Sequence, residues 1–283
     1  MKILVLGASG MIGHVLLRYF AQSPGFSVVG SVRTVREREL LPQALHGQIV
    51  CGSDIEADGL AELFSRVRPN AVVNCIGVVK QAAEGRDPLA AISVNALFPH
   101  RLLRLCKLSG ARLIHLSTDC VFSGAKGMYS EQDTADATDL YGRSKLLGEL
   151  DDLQAVTLRK SAIGPELEGT LGLLGWFLSQ RGRTKGFTRA VFSGMTTLEL
   201  ARVIRDFVLP RPDLHGILHV AAEPIDKYRL LCLIAQIYGL AIEIEPDDQL
   251  AVDRSLDASL FRRLTGYVAP SWPDLLRAMH QFG

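Results

Sequence analysis

Lys2-Ile3-Leu4-Val5-Leu6-Gly7-Ala8-Ser9-Gly10-Met11-Ile12-Gly13 decides the fold of this chain. The apolar run Ile3-Leu4-Val5-Leu6 is too short for the core of a signal peptide and reads as a buried strand. Glycines at 7, 10 and 13 then fall where the strand must turn into a helix. One lets the turn take unusual dihedrals, another lets the backbone approach a pyrophosphate, and a third lets helix and strand pack closely. The helix N-terminus offers free N–H groups and a partial positive charge to phosphates. Gly7, Ser9, Gly10, Met11, Ile12 and Gly13 are therefore candidates for a dinucleotide cradle. Their spacing, GxxGxxG, departs from the GxGxxG of the ordinary dinucleotide fold, and a tight strand–helix turn without ligand is the competing account.

Outward from this unit the pattern repeats. Apolar runs at 2–6, 27–32, 48–51, 71–76, 112–117 and 155–159 predict strands, with helical periodicity at 11–22, 60–67, 88–108 and 140–150 between them. Continuous apolar strands separated by helices predict an α/β fold, a Rossmann-type doubly wound parallel sheet covered on both faces. After about Pro165 the pattern changes to a Gly- and Arg-rich stretch holding a candidate helix at 171–178. A helix over 196–209, a strand over 216–221, and helices over 227–238 and 273–282 follow. The expected organisation is a NAD(P)-binding core over residues 1–165, to which 192–221 return, and a smaller interleaved C-terminal substrate-binding lobe of 166–191 and 222–283.

The 283 residues are 48% hydrophobic and 22% charged, with a formal net charge of +1. That balance gives no reason to expect nucleic acid as a partner, and no apolar run is long enough to span a membrane. Cys51, Cys75, Cys106, Cys120 and Cys232 are odd in number and widely spaced, with no CxxC pair. They read as reduced, buried thiols of a cytoplasmic protein, and no metal is expected.

The end of the second strand reads Ser31-Val32-Arg33-Thr34-Val35-Arg36, with no acidic residue before Glu37. An arginine there can fork a 2′-phosphate, so Arg33 points to NADPH, with NADH as the alternative cofactor. A solvated basic loop explains the same residues. Asp54 and Ile55, after the third strand, are placed to contact adenine, and Cys75, Ile76 and Gly77, after the fourth, to line the ribose and phosphates.

Ser117-Thr118-Asp119 ends the fifth strand, at the carboxyl edge where α/β sheets hold their sites. Tyr141 follows with Lys145 one helical turn beyond it. A Tyr–x–x–x–Lys pair arises by chance in roughly one such chain in six, so its position carries the case. A lysine ammonium near a phenol stabilises the phenolate and eases proton transfer near neutrality. Thr118 can hold a substrate carbonyl beside them. Together the catalytic candidates are Thr118, Tyr141 and Lys145.

The run Leu116-Ser117-Thr118-Asp119-Cys120-Val121-Phe122-Ser123-Gly124, with Tyr141-Gly142-Arg143-Ser144-Lys145-Leu146-Leu147-Gly148-Glu149, resembles the extended short-chain dehydrogenases/reductases. Within them the chain is most similar to the dTDP-4-dehydrorhamnose reductase-like group. Leu158-Arg159-Lys160-Ser161-Ala162-Ile163-Gly164, Phe192-Ser193-Gly194-Met195-Thr196-Thr197 and His219-Val220-Ala221 with Ile225-Asp226-Lys227-Tyr228 fit as well. The resemblance implies that Tyr141 is the acid/base, that Lys145 binds the nicotinamide ribose and tunes Tyr141, and that Thr118 completes the triad. It also implies that Asn95 shapes the cofactor site. It implies reduction of a nucleotide-linked 4-keto-6-deoxy sugar, linked to dTDP or UDP, for surface polysaccharide. Dehydratases of the superfamily carry a Glu after the Asp, whereas Cys120 stands here, which disfavours dehydration. Lys80, Trp176, Lys185 and Arg189 are candidates for the sugar nucleotide, although core packing explains Trp176 equally well. Some relatives form metal-bridged dimers. A homodimer is compatible with the sequence, but no carboxylate cluster supports a metal. A same-fold epimerase, and a non-catalytic NADP-binding regulatory subunit such as the β-subunit of methionine adenosyltransferase, remain as alternatives.

Overall fold

The computed structural model describes residues 1–52, 57–79 and 86–283. Its centre is a parallel sheet built from β1 (Lys2–Leu6), β2 (Ser27–Val32), β3 (Ile49–Cys51), β4 (Ala71–Asn74), β5 (Arg112–Leu116), β6 (Ala155–Arg159) and the strand Gly216–His219. Their spatial order is Gly216–His219, β6, β5, β4, β1, β2, β3. The chain reverses its direction of winding between β1 and β4, a topological switch point, and a crevice beyond the carboxyl ends of the strands is expected there. Leu6 pairs with Ser31 on one side and with Asn74 on the other, so β1 is central.

Side-chain alternation along β1 explains how both faces are covered. Ile3 and Val5 enter a core with Leu16, Leu17 and Phe20 of helix α1 (Gly13–Ala21) and with Leu200 and Ile204. Leu4 and Leu6 enter the opposite core with Leu63, Phe64, Phe98 and Leu102. All four β1 side chains are fully buried, each worth about 1.5–3 kcal/mol of transfer free energy. This accounts for an unbroken apolar run in place of an alternating one.

Helices α2 (Val35–Glu39) and α3 (Ala57–Val67) follow β2 and β3. The helix expected as one piece over 88–108 is divided. Pro88–Ala91 (α4) and Phe98–Ser109 (α5) flank a π-helical turn over Ile92–Leu97. The helix expected over 196–209 likewise consists of Thr197–Val203 and a π-helical stretch Ile204–Val208. Residues 11 and 12 belong to the turn before α1 and not to the helix.

Beyond β6, the strand Met195–Thr196 pairs with Ala162–Ile163 and leads into Thr197–Val203, and Gly216–His219 adds to β6. A further group of elements has its own core of Phe177, Leu230, Ile234, Trp272 and Leu276. Two small pairings there were not visible in the sequence. Arg183–Phe187 lies parallel to Glu243–Asp247, and Ala190–Phe192 sits between Ile225–Asp226 and Val252–Asp253. No helix among the described residues is long and apolar enough to cross a membrane.

Candidate active site

The turn after β1 has the build of a phosphate cradle. Gly7 has φ +73°, where a side chain is strained, and a Cβ on it would press on Ile76 and Cys75 of the loop after β4. A Cβ on Gly13 would stand 2.1 Å from the Gly7 carbonyl oxygen, so only glycine lets α1 start this close to β1. The Gly10 position faces no side chain and is exposed. Gly10 N–H donates to the Gly7 carbonyl at 3.1 Å, and the His14 N–H and ring Nδ1 both lie about the Gly10 carbonyl, the ring at 3.0 Å. Ser9, Met11 and Ile12 complete the turn and are partly buried. A narrow turn, closed to side chains and followed at once by a helix N-terminus, fits a dinucleotide pyrophosphate.

The outer wall of the cradle differs from the sequence expectation. Arg33 is 82% exposed and its guanidinium is clasped by Glu37, with Nη2 at 2.9 Å and Nε at 3.0 Å from Oε1. The other carboxylate oxygen of Glu37 accepts the Arg33 N–H at 2.8 Å and the Ser9 hydroxyl at 3.2 Å. Glu37 thus joins the glycine turn to the end of β2, which its position one helical turn beyond Arg33 did not announce. Across the crevice, Cys75 N–H bonds the Leu6 carbonyl at 3.1 Å, and Ile76 N–H bonds Asn74 Oδ1 at 3.1 Å. Burial pushes the Cys75 thiol up to about 12, so it is not a nucleophile at neutral pH. Gly77 is exposed beside Asn95. Asp54, Ile55 and Lys80 lie outside the described residues.

Thr118 follows β5 and caps a short 3₁₀ turn, its hydroxyl accepting the Cys120 N–H at 3.1 Å and donating to Asp119 Oδ1 at 3.1 Å. Helix α6 (Leu140–Leu147) starts at Asp139, whose carboxylate accepts the Gly142 N–H at 2.9 Å. This helix brings the Tyr141 phenol beside Thr118, whose side chain acts to lower its pKa. Lys145, buried, donates its Nζ to the Leu116 carbonyl at 2.8 Å, at the carboxyl end of β5. Burial raises the Tyr141 phenol above its usual range, helped by Cys120 and opposed by the Thr118 hydrogen bond. Burial first, and then the charge of Lys160, lower the Lys145 ammonium to about 7.

Asn95 lies in the π-helical turn and is fully engaged. Its Oδ1 accepts the Val78 N–H at 2.9 Å, and its Nδ2 donates to the Val78 carbonyl at 3.0 Å and the Ser144 hydroxyl at 3.2 Å. It ties the loop after β4 to helix α6. A buried network holds the other end of α6. Glu149 accepts Arg159 Nε at 2.8 Å, Arg159 Nη2 at 2.7 Å and the Ser117 hydroxyl at 2.6 Å. Arg159 continues to His219 Nε2 at 3.3 Å and lies over the Phe122 ring.

The remaining sugar-nucleotide candidates are not gathered with this triad by any contact. Trp176 is half-exposed on the helix Leu173–Ser179, tilted against Phe177. Lys185 is ion-paired to Asp247 at 3.0 Å on the parallel strand pair, and Arg189 is exposed. Sequence reasoning gave no role to Lys160 or Lys227, which both act electrostatically on Asp119 beside Thr118. Both lie in runs that carry the family resemblance, 158–164 and 225–228, but nothing in those runs gave either lysine a role. Among the described residues no group of three or more His, Cys, Asp or Glu is gathered for a metal.

Comparison with known proteins gives the family and the fold. The probable low-salt glycan biosynthesis reductase Agl14 of Haloferax volcanii is 29% identical over 298 residues, covering 97% of this chain and 96% of its own length. Methionine adenosyltransferase 2 subunit beta of Rattus norvegicus is 25% identical over 260 residues, 84% of this chain and 72% of that protein. The crystal structure of dTDP-4-dehydrorhamnose reductase from Bacillus anthracis in complex with NADP shares the fold, with a TM-score of 0.79 at 18% identity over 99% of both chains. A model of the RmlD substrate binding domain matches residues 1–162. That match covers more than half of the sequence, and the chain belongs to the RmlD substrate-binding domain family.

Proposed function

We propose that this protein is an NAD(P)H-dependent reductase of a nucleotide-linked 4-keto-6-deoxy sugar, dTDP-4-dehydrorhamnose or a UDP-linked 2-acetamido analogue, serving surface polysaccharide synthesis. The observation that carries this reading is the contact of Tyr141 with Thr118 at the carboxyl edge of β5, with Lys145 held against Leu116 beside them. Similarity to the Haloferax volcanii glycan biosynthesis reductase along nearly the whole chain supports it.

Gly7, Ser9, Gly10 and Gly13 would hold the pyrophosphate of the cofactor, and the cofactor supplies the hydride when bound. Thr118 hydroxyl and Tyr141 phenol orient the substrate carbonyl by hydrogen bonding. Tyr141 gives its proton to the developing alkoxide, and the Lys145 ammonium stabilises the phenolate left behind. Burial of Lys145 excludes water from the charge that does this work. NADPH is the proposed cofactor if Arg33 exchanges Glu37 for a 2′-phosphate. With Arg33 clasped, Glu37 is instead an acceptor for the ribose hydroxyls of NADH.

The test is NADPH and NADH oxidation at ~340 nm with a panel of dTDP- and UDP-linked 4-keto-6-deoxyhexoses. Consumption with one member identifies sugar and nucleotide together. A second reading is a nucleotide-binding regulatory subunit without turnover, favoured by similarity to methionine adenosyltransferase 2 subunit beta over 84% of the chain. Cofactor binding without oxidation of any panel member, together with co-purification of a partner at fixed stoichiometry, would establish that reading. An epimerase would cycle its cofactor with no net consumption.

A further inference from the structure

Positive charge exceeds negative charge around Asp119. This carboxylate is buried next to the catalytic Thr118 and accepts its hydroxyl at 3.1 Å. Lys227, Lys160 and Arg254 all act on it through space, and Lys145 lies close enough to Lys160 to feel its charge. Among the described residues, none of these cations forms a close ion pair with Asp119. Arg254 is engaged through Nε with the Phe122 carbonyl at 2.9 Å. Glu149, the other nearby carboxylate, is taken by Arg159.

Lys160 and Lys227 are different. Lys160 contributes its backbone carbonyl to the Asp119 N–H at 3.2 Å, but its ammonium makes no hydrogen bond with any described residue. Lys227 reaches Asp119 from a distant part of the chain. It is the first residue of the helix Lys227–Tyr238, capped by Asp226, and Asp226 pairs in the strand ladder with Val191. Its Nζ stands 3.6 Å from the centroid of the Phe192 ring and, like Lys160, has no hydrogen-bond partner among the described residues. The aromatic face holds the ammonium by cation–π attraction while leaving its N–H donors unsatisfied. Both side chains are partly buried. Neither Nζ is a fully buried, unpartnered atom, so each ammonium keeps N–H donors open that an anion placed between them can take up as charge-assisted hydrogen bonds.

We propose that Lys160 and Lys227 form an anion clamp that takes phosphate or carboxylate oxygens of the substrate beside Thr118 and Tyr141. The clamp rests on the sugar-nucleotide reading of the site and names the groups that hold the substrate's charge. Of the two sequence candidates for that role, Lys185 and Arg189, Lys185 is already paired with Asp247. The anion can be the diphosphate of the nucleotide or a carboxylate on the sugar.

Isothermal titration of the NADP-loaded protein with UDP, dTDP and D-glucuronate separates these sources without requiring turnover. The wild-type protein is expected to bind one class. Lys227→Met and Lys160→Met should each weaken that ligand about tenfold or more, the scale of a lost charge-assisted hydrogen bond. Lys227→Arg, which keeps the charge, should stay within about threefold. NADP affinity should be unchanged in all variants, which reports an intact core. Nucleoside diphosphates alone binding would assign the diphosphate, and glucuronate alone the carboxylate. Wild-type protein that binds neither class, or Met variants that bind as tightly as wild type, would overturn the clamp. A protein that binds UDP through these lysines but oxidises no reduced cofactor would overturn the reductase reading and leave the clamp standing.

Discussion

Replacing Arg159 with Met should unfold the protein at a markedly lower temperature, because it isolates a buried carboxylate. Glu149 and Arg159 are 3% and 6% exposed, and both Glu149 oxygens accept from the guanidinium, at 2.8 and 2.7 Å. The Ser117 hydroxyl is the remaining donor, at 2.6 Å. Removing one member of such a pair costs about 3–5 kcal/mol, because the other charge loses its partner without regaining water. A chain of 283 residues loses about 0.6 kcal/mol of stability per degree near its midpoint, so Tm should fall by about 5–8 °C. Thermal unfolding of cofactor-free protein followed by circular dichroism reads this directly. The double replacement Glu149→Leu/Arg159→Met removes both charges and should recover most of the loss, since apolar pairs of similar volume commonly match a buried ion pair. A single variant that melts within about a degree of wild type would mean that Glu149 is hydrated or neutral, and the pinning of α6 to β6 would lose its basis.

Tyr141→Phe should lower kcat by about 10²–10⁴ while leaving the dissociation constant of NADPH within a few-fold, since only the proton donor is lost; an active Phe variant would remove Tyr141 from the mechanism. The pH dependence follows from Lys145, lowered to about 7 by burial and Lys160. It is charged below that pH and neutral above it, so kcat/KM of the free enzyme should fall as pH rises through about 7, and Lys160→Met should move that limb upward. A limb unmoved by Lys160→Met would show that another group sets it. Glu37→Ala frees Arg33 and removes a carboxylate from the ribose pocket, so it should shift the NADPH/NADH affinity ratio towards NADPH about tenfold or more; an unchanged ratio would place the pair outside the cofactor site.

The parts of this fold legible in the sequence are those written locally. Apolar runs without alternation gave the parallel sheet, because both faces of β1 are covered. The pair Arg183–Phe187 and Glu243–Asp247 escaped because it is short, mostly polar and largely half-buried, with nothing to distinguish it from loop. The π-helical turn at Ile92–Leu97 escaped because its residues keep helical periodicity. What fixes it is tertiary: Asn95 must reach both Val78 and Ser144, which lie far apart in the chain. The proximity of Thr118, Tyr141 and Lys145 was suggested by their spacing and their place after β5, and the structure puts Tyr141 beside Thr118 and Lys145 on the Leu116 carbonyl. Lys160 and Lys227 were not, because only folding carries them to Asp119 from distant positions. The Arg33–Glu37 clasp was within reach, since the two residues are only four apart in the chain, but the bond of Glu37 to Ser9 was not.

The direction of chemistry for which the site is poised follows from the field around Tyr141. Burial raises this phenol, and Cys120, Asp119 and Asp139 act in the same sense, while the Thr118 hydrogen bond opposes them. Such a tyrosine keeps its proton at neutral pH, the state required to protonate an alkoxide and the wrong one to abstract a proton from an alcohol. An anion held between Lys160 and Lys227 would reduce the positive potential at Lys145, since Lys160 is the second cause of its lowered value. Lys145 would then hold its charge to higher pH when substrate is bound, so the phenolate is stabilised only after the proton has somewhere to go. The pH limb of kcat should therefore lie above that of kcat/KM, because the former reports the substrate complex and the latter the free enzyme. Coincident limbs would show that substrate charge does not reach Lys145, and would separate the clamp from the proton transfer.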